Sequence, residues 1–214
     1  MAMLKDKDRQ KVEEAFRAIV HSVKVVMFTQ SVECDYCQMT RELLGELAAL
    51  NSHISVEVLD FVGDSDRAEA FGIDKIPATI VMGDKDYGIR FYGVPAGYEF
   101  MSVIEAIVDV GKRDPALPAA ILAQLARVDQ PVHMQAMVTP TCPYCQRAVR
   151  TAHKFAMASD FITGDMVEIT EFPHLAVKYG VQGVPNTIIN EAASVVGGVS
   201  EKDFAKAVLR AIGR

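Results

Sequence analysis

The sequence predicts an α/β protein made of two similar units, each with a central mixed sheet flanked by helices. Its four cysteines form two Cys-x-x-Cys motifs, Cys34–Cys37 and Cys142–Cys145. In both halves a proline that follows an apolar residue stands 43 positions after the first cysteine, as Pro77 and as Pro185. Other pairs match at the same offset of 108 residues, namely Tyr36 and Tyr144, Gln38 and Gln146, Phe71-Gly72-Ile73 and Tyr179-Gly180-Val181, and Thr79-Ile80 and Thr187-Ile188. A register held over so many positions indicates an internal duplication that carries redox chemistry twice.

In the first unit, short segments rich in β-branched residues predict strands, and apolar residues at i, i+3 and i+4 predict helices. Strand Val23–Thr29 leads into the cysteine motif, which opens a helix that continues to about Leu50. The other predicted elements are helices at about Asp8–Val20, Ser65–Phe71 and Glu99–Val110, and strands at Ile54–Asp60, Thr79–Met82 and Ile89–Tyr92.

The second unit repeats this order. Strand Val132–Val138 precedes the second cysteine motif, whose helix runs to about Met157. The other predicted elements are helices at about Pro118–Arg127, Pro173–Tyr179 and Glu201–Ile212, and strands at Met166–Ile169, Thr187–Asn190 and Ser194–Val196. In both units this alternation of strands and helices places helices on both faces of the sheet.

The segment between the units marks a boundary. Gly111 ends a helix, and Pro115 and Pro118 prevent the chain from continuing it. We therefore predict one unit at residues 1–113, with the Cys-Asp-Tyr-Cys motif, and a second at residues 114–214, with the Cys-Pro-Tyr-Cys motif.

The overall charge and the N-terminal sequence limit the class of protein. The net charge of −6 argues against nucleic acid or an anionic membrane as the main partner. The charged N-terminus lacks the apolar region of a signal peptide, and no apolar run is long enough to span a bilayer. We therefore expect a cytoplasmic protein, in which a cysteine pair is more often catalytic than structural.

Each cysteine motif has the arrangement needed for thiol–disulfide exchange. The first cysteine follows a strand and meets the positive end of a helix, which stabilises a thiolate. Cys34 and Cys142 are therefore the predicted nucleophiles, and Cys37 and Cys145 the residues that resolve a mixed disulfide. This chemistry needs no metal and no organic cofactor.

The residues between the cysteines differ. Asp35 places a carboxylate beside Cys34, which disfavours the thiolate, whereas Pro143 suits the first position of a helix. Lys75 would offset Asp35 if its loop packed against Cys34. We expect Cys142–Cys145 to be the more oxidising pair.

Zinc binding is the main alternative for two such motifs. Paired Cys-x-x-Cys zinc motifs are typically about 15–20 residues apart. Here more than a hundred residues intervene, and each motif has its own downstream proline. A purely structural role is also disfavoured, because such short loops constrain little of the chain.

These motifs resemble thioredoxin-fold proteins of the glutaredoxin kind, and the duplicated arrangement resembles the protein disulfide oxidoreductase family. The matching segments are Ile76-Pro77, Tyr92–Gly97, Thr139–Cys145, Ala152–Ala156 and Val184-Pro185. The resemblance covers essentially the whole chain. It implies two tandem thioredoxin-like folds, with sheets joined across the middle, and dithiol oxidase, reductase and isomerase activity.

The resemblance also implies roles for the residues around each proline. Pro77 and Pro185 should follow cis peptide bonds, and the backbone of Ile76 and Val184 should pair with a substrate peptide.

The chain departs from thioredoxin itself in having no tryptophan before the motif and no aspartate in the strand that leads to it. Phe28 and Ala136 stand at the matching strand positions. Asp60 and Glu168, which match each other in the repeat, are candidates for proton transfer, although a solvated strand end is the simpler interpretation. His153 is interpreted as a packing or solvated residue rather than a base.

The sequence thus predicts a protein dithiol–disulfide oxidoreductase. Its electrons would come from an NADPH-dependent flavoprotein like thioredoxin reductase and pass to protein disulfides or to a peroxiredoxin-type peroxidase. Two alternatives stay open: a dedicated electron shuttle between such a reductase and a peroxidase, and a non-catalytic module that binds peptides beside each proline. The use of glutathione is open as well.

Overall fold

The computed structural model describes residues 4–214. The first half contains α1 (Asp6–Phe16), β1 (Val23–Thr29), α2 (Cys37–Ala48), β2 (Ile54–Asp60), α3 (Ser65–Ala70), β3 (Ala78–Met82), β4 (Ile89–Tyr92) and α4 (Glu99–Lys112). The second half contains α5 (Ala119–Leu125), β5 (Val132–Val138), α6 (Cys145–Ala158), β6 (Ile162–Glu168), α7 (Pro173–Lys178), β7 (Asn186–Ile189), β8 (Ala193–Val196) and α8 (Glu201–Ala211). The predicted α/β class and element order are confirmed.

The strands form one mixed sheet of eight strands in the order β2-β1-β3-β4-β6-β5-β7-β8. The two halves meet where β4 and β6 pair in parallel, from Ile89 opposite Gly164 to Tyr92 opposite Val167. The joined sheet that the resemblance implies is therefore present, and elements of both halves lie side by side at its centre.

Helices cover both faces of the sheet. One face packs against α1, α2, α4, α5, α6 and α8 around a core that includes Phe16, Phe91, Phe155 and Phe204. The opposite face packs against α3 and α7 around Phe28, Ile80 and Phe172. Burial of these large apolar side chains is the main source of stability.

Strand direction brings both cysteine motifs to one edge of the sheet. Strands β1 and β2 are parallel, β3 is antiparallel to β1 and β4, and β4, β6 and β5 are parallel. The carboxyl ends of β1 and β5, which lead to Cys34 and Cys142, therefore point the same way. Four strand spacings separate them, which corresponds to about 19 Å across the sheet.

Four predicted boundaries need correction. Helix α1 ends at Phe16 rather than Val20, because the N–H groups of Val20 and His21 bond the carbonyl of Gly111 instead. Strand β6 begins at Ile162 rather than Met166, since polar Thr163 and Asp165 pair with β5 at the centre of the sheet. Each cysteine helix begins at the second cysteine, so the first cysteine lies in the preceding turn.

Arg113 ends α4 in a left-handed conformation, at the predicted boundary between the units. The division at residues 113 and 114 itself stays a prediction. Within residues 4–214, no helix combines the length and the apolar character needed to cross a bilayer.

Candidate active sites at one edge of the sheet

Site one contains the disulfide between Cys34 and Cys37. Their Cα atoms are 5.4 Å apart, and the backbone N–H of Cys37 donates a 3.4 Å hydrogen bond to the carbonyl of Cys34. Cys37 is buried at the start of α2, whereas Cys34 is partly exposed. An external thiol can therefore approach Cys34 but not Cys37.

Site two repeats this geometry with the disulfide between Cys142 and Cys145, whose Cα atoms are 5.5 Å apart. Cys145 is fully buried, and Cys142 keeps 7% of its surface. The Sγ atom of Cys142 lies 3.7 Å from the carbonyl oxygen of Val184. In both sites the first cysteine is thus the more accessible one, as expected for a nucleophile.

The peptide bonds Ile76–Pro77 and Val184–Pro185 are both cis, which confirms the geometry implied by the resemblance. Each proline carbonyl accepts a hydrogen bond from the glycine that follows the second strand after it, β4 or β8. Gly93 donates to Pro77 at 2.9 Å, and Gly197 donates to Pro185 at 2.8 Å. The contact of Cys142 with Val184 places the residue before the proline beside the reactive sulfur. Backbone pairing of Ile76 and Val184 with a substrate stays a prediction.

The four cysteines form two separate disulfides and do not surround a common point. Across residues 4–214, no group of three or more histidine, cysteine or acidic side chains is arranged to hold a metal ion. The four-cysteine zinc site considered as an alternative therefore does not fit this geometry.

Comparison with known proteins identifies the fold and its chemistry. Residues 132–210 match a family model described as a thioredoxin domain. The crystal structure of a protein disulfide oxidoreductase from Aeropyrum pernix k1 superposes with a TM-score of 0.90 at 29% identity, covering 98% of this chain and 94% of the other. The chain thus has the thioredoxin fold and is similar over nearly its whole length to a disulfide oxidoreductase. The predicted tandem fold and the predicted enzyme class are confirmed.

Other similar proteins are alkyl hydroperoxide reductases and an NADH dehydrogenase. The alkylhydroperoxide reductase protein AhpF from Enterococcus faecalis superposes with a TM-score of 0.90 at 22% identity, covering 96% of this chain and 99% of that one, which supports the fold. A Bacillus subtilis protein named NADH dehydrogenase is 24% identical over 166 residues, or 78% of this chain. An alkyl hydroperoxide reductase protein from Staphylococcus epidermidis is 27% identical over 128 residues, or 60% of this chain. The oxidoreductase spans only 30% and 23% of the lengths of these last two proteins.

Lys75 was predicted to offset the charge of Asp35 beside Cys34, and the structure gives these two residues different surroundings. Asp35 is exposed within the oxidoreductase's first motif. Lys75 is held elsewhere, because its ammonium pairs with Asp74 at 2.5 Å and lies 3.7 Å from the centre of the Tyr92 ring. No contact between Lys75 and Cys34 is present among the described residues, so the predicted compensation of Asp35 has no structural support.

The two strand-end carboxylates differ in their surroundings. Asp60 is exposed and accepts hydrogen bonds from the N–H groups of Val62 and Gly63. Glu168 is 2% exposed and accepts from the N–H and hydroxyl of Thr170 and from the N–H of Glu171. The solvated interpretation thus holds for Asp60 and is wrong for Glu168. Proton transfer by either stays a prediction.

Sequence reasoning missed Glu99, a buried carboxyl in the first turn of α4. Burial raises the pKa of Glu99 to about 7, although a 2.6 Å hydrogen bond from the Ser102 hydroxyl opposes the shift. Its other oxygen has no hydrogen-bond partner among the described residues. The backbone N–H of Tyr98, the residue before Glu99, donates a hydrogen bond to the carbonyl of Pro140, which lies two residues before Cys142. Only the three-dimensional pairing of the units reveals this acid, because it belongs to unit one and the residue before it bonds the segment that leads to Cys142.

Proposed function

We propose that this chain catalyses dithiol–disulfide exchange with protein substrates at both sites. The observation that carries the proposal is an arrangement that occurs twice at one edge of the sheet: a first cysteine that is more accessible than the buried second one, and a cis-proline turn. The A. pernix protein, which is similar over nearly the full length, supports the same assignment.

In the reductive direction, the thiolate of Cys34 or Cys142 attacks one sulfur of a substrate disulfide. The other substrate sulfur leaves as a thiolate, and a mixed disulfide forms. Cys37 or Cys145 then attacks the nucleophile's sulfur and releases the second substrate thiolate. The substrate gains two electrons, the enzyme pair becomes a disulfide, and the two thiolates take protons according to their pKa values. The reverse sequence forms disulfides.

The resolving cysteine must lose a proton in a buried position, so a nearby proton acceptor is useful. Glu99 is proposed for this role at site two, because its pKa of about 7 allows it to accept a proton under neutral conditions. The backbone hydrogen bond from Tyr98, the residue before Glu99, to Pro140 supports the assignment. Asp60 and Glu168 remain the candidates named from sequence.

The partners follow from the same chemistry. An NADPH-dependent flavoprotein in the cytoplasm is proposed as the source of electrons, with protein disulfides as their destination. The similarity to the alkyl hydroperoxide reductase proteins supports a flavoprotein context and keeps the shuttle to a peroxidase as a second candidate.

The test is insulin reduction with dithiothreitol as electron donor. Variants Cys34→Ser and Cys142→Ser should each retain part of the activity, and the double variant should lose it. Retention of full activity by the double variant would instead favour a non-catalytic peptide-binding module. Repeating the assay with a flavoprotein reductase and a peroxidase as sole partners separates the shuttle from a general protein oxidoreductase.

A further inference from the structure

The loop between β4 and α4, residues Gly93–Tyr98, extends between the two sites. At its start the N–H of Gly93 bonds the carbonyl of Pro77 at 2.9 Å, beside site one. At its end the N–H of Tyr98 bonds the carbonyl of Pro140 at 3.0 Å, beside site two. The loop is therefore attached at one end to the cis-proline of site one and at the other end to the segment before Cys142.

A carboxylate from the other unit holds this loop. The N–H of Val94 donates a 2.7 Å hydrogen bond to Oε1 of Glu171, which follows β6. Gly93 has a φ of +91°, and a side chain there would place Cβ 2.8 Å from Oε1 of Glu171. The glycine thus permits both the left-handed turn and the close approach of the glutamate.

Glu171 is itself fixed in place. The carboxylate of Glu168 accepts the N–H groups of Thr170 at 3.0 Å and of Glu171 at 2.9 Å, which orders the turn that carries Glu171. Burial raises the pKa of Glu171 to about 7, with repulsion from Glu168 in the same direction. In either protonation state a carboxyl oxygen remains available to accept from Val94.

The internal repeat provides a comparison. The loop at site two begins at Gly197, which donates to Pro185 as Gly93 does to Pro77. A Cβ atom on Gly197 would meet nothing within 4 Å. The residue that matches Glu171 in unit one is Gly63, which has no side chain to offer. The contact is therefore specific to site one and arises from the joining of β4 to β6.

We propose that Glu171, carried by unit two, is a positioning residue for site one, where it fixes the Gly93–Tyr98 loop beside Pro77. This assignment rests on the proposed exchange activity of site one. Glu171 touches no reacting atom and acts by holding the surface on which a substrate backbone docks. Its loss should weaken substrate binding more than it slows the exchange step.

The test uses chains in which one site is silenced by two serine substitutions. With Cys142→Ser and Cys145→Ser, site one alone reduces a fluorescent disulfide-linked peptide with dithiothreitol. Glu171→Ala loses the hydrogen-bond acceptor, and Glu171→Asp keeps the charge but is one methylene too short to reach Val94. Both variants should therefore raise KM about threefold to tenfold, and kcat should change less than about twofold. Glu171→Gln keeps length and acceptor and should behave like the parent. Glu69→Ala, at an exposed glutamate on α3, is the matched control.

The same Glu171 variants in the Cys34→Ser, Cys37→Ser chain report on site two. Their activity should stay within about twofold of the parent, which also shows that unit two is folded. Amide hydrogen exchange at Val94 in the oxidised chain measures the hydrogen bond between Val94 and Glu171 without catalytic turnover. The exchange rate should increase about tenfold in Glu171→Ala and Glu171→Asp.

Two results overturn the assignment: unchanged KM and unchanged Val94 exchange in these two variants, or Glu171→Gln impaired as strongly as Glu171→Ala. An inactive site-one parent would instead refute the proposed function at that site, and Val94 exchange would still decide whether Glu171 holds the loop.

Discussion

Tyr98 and Pro140 are joined by a 3.0 Å backbone hydrogen bond that links the residue before α4 in unit one to the segment before Cys142 in unit two. The two active sites are therefore built on shared structure. Glu99 is buried directly after Tyr98, so its ionisation affects stability and, in the proposed mechanism, catalysis at site two.

Replacing Glu99 by glutamine should change the pH dependence of stability. The pKa of Glu99 is raised from 4.5 to about 7, so the folded state binds the proton more tightly than the unfolded state. Its stabilising contribution is complete below about pH 4.5 and is lost as the pH rises through 7. From pH 5 to pH 8 the parent should lose about 2–3 kcal/mol through this group.

Urea unfolding of Glu99→Gln and the parent at pH 5 and pH 8 measures this effect. The variant should match the parent at pH 5 and exceed it at pH 8. Equal differences at the two pH values would show that Glu99 is not protonated more tightly in the folded state.

His153 should produce the opposite slope. It is buried on α6, its ring centre lies 4.6 Å from that of Phe91, and its Nε2 is 3.1 Å from the carbonyl of Arg90, to which it donates as a neutral ring. Burial lowers its pKa from 6.5 to about 3. Its contribution is therefore present above about pH 6.5 and is lost as the pH falls towards 3.

Between pH 7.5 and pH 4.5 the parent should lose about 2–3 kcal/mol through His153. His153→Leu removes this loss, so the stability of the variant relative to the parent should improve on acidification. Guanidinium unfolding at both pH values provides the measurement. A constant offset between the two proteins would contradict a neutral buried histidine. Of the two roles expected from sequence, packing or solvated, the burial of His153 confirms packing.

The sequence predicted the helices and strands of the repeated unit well, because each element can be recognised in both copies of the repeat. Strands β1, β2, β4 and β5 have the bounds that their β-branched patterns predict. The start of β6 was missed because Thr163, Gly164 and Asp165 are polar or small, and only their central place in the joined sheet explains their strand conformation.

The cysteine pairs were also predictable, since their chemistry depends on residue type and spacing, and the cis-prolines were implied by the resemblance to a known family. Glu99 and Glu171 were not. Each is proposed to act across the junction of the units, and the residue that matches Glu171 in the first copy of the repeat is Gly63. Contacts between repeats leave no trace in a comparison of one repeat with the other.

The charge beside site one should lower its reduction potential. Asp35 is exposed next to Cys34, and a carboxylate there disfavours the reduced, thiolate form. Asp35→Asn should therefore make site one more oxidising, by about 10–20 mV for a solvated charge at this range. Equilibration with glutathione buffers in the Cys142→Ser, Cys145→Ser chain gives the potential, with Asp66→Asn as control. A shift to a more negative potential would contradict the electrostatic explanation.

The same method tests which of the two sites has the higher reduction potential. Cys142–Cys145, with Pro143 in place of Asp35, should have the higher potential when measured in a chain with Cys34→Ser and Cys37→Ser. A higher potential for Cys34–Cys37 would show that features other than the intervening dipeptide dominate.

Alanine substitutions at two glycines with the same φ distinguish the cost of backbone strain from the cost of a steric clash. Gly97 and Gly180 both have a φ of +61°. A Cβ atom on Gly180 would meet nothing within 4 Å, whereas one on Gly97 would collide with the carbonyl oxygen of Pro140. Gly180→Ala should therefore cost only the left-handed strain of about 1–2 kcal/mol.

Gly97→Ala should cost about 1–3 kcal/mol more, because the loop must move away from Pro140 to admit the methyl group. Urea unfolding of both variants gives the difference. Only Gly97→Ala should also alter the reactivity of Cys142 in the chain with Cys34→Ser and Cys37→Ser, since only that loop bonds the segment before Cys142. Equal costs for the two substitutions, with unchanged Cys142 reactivity, would mean that the two units do not depend on this contact.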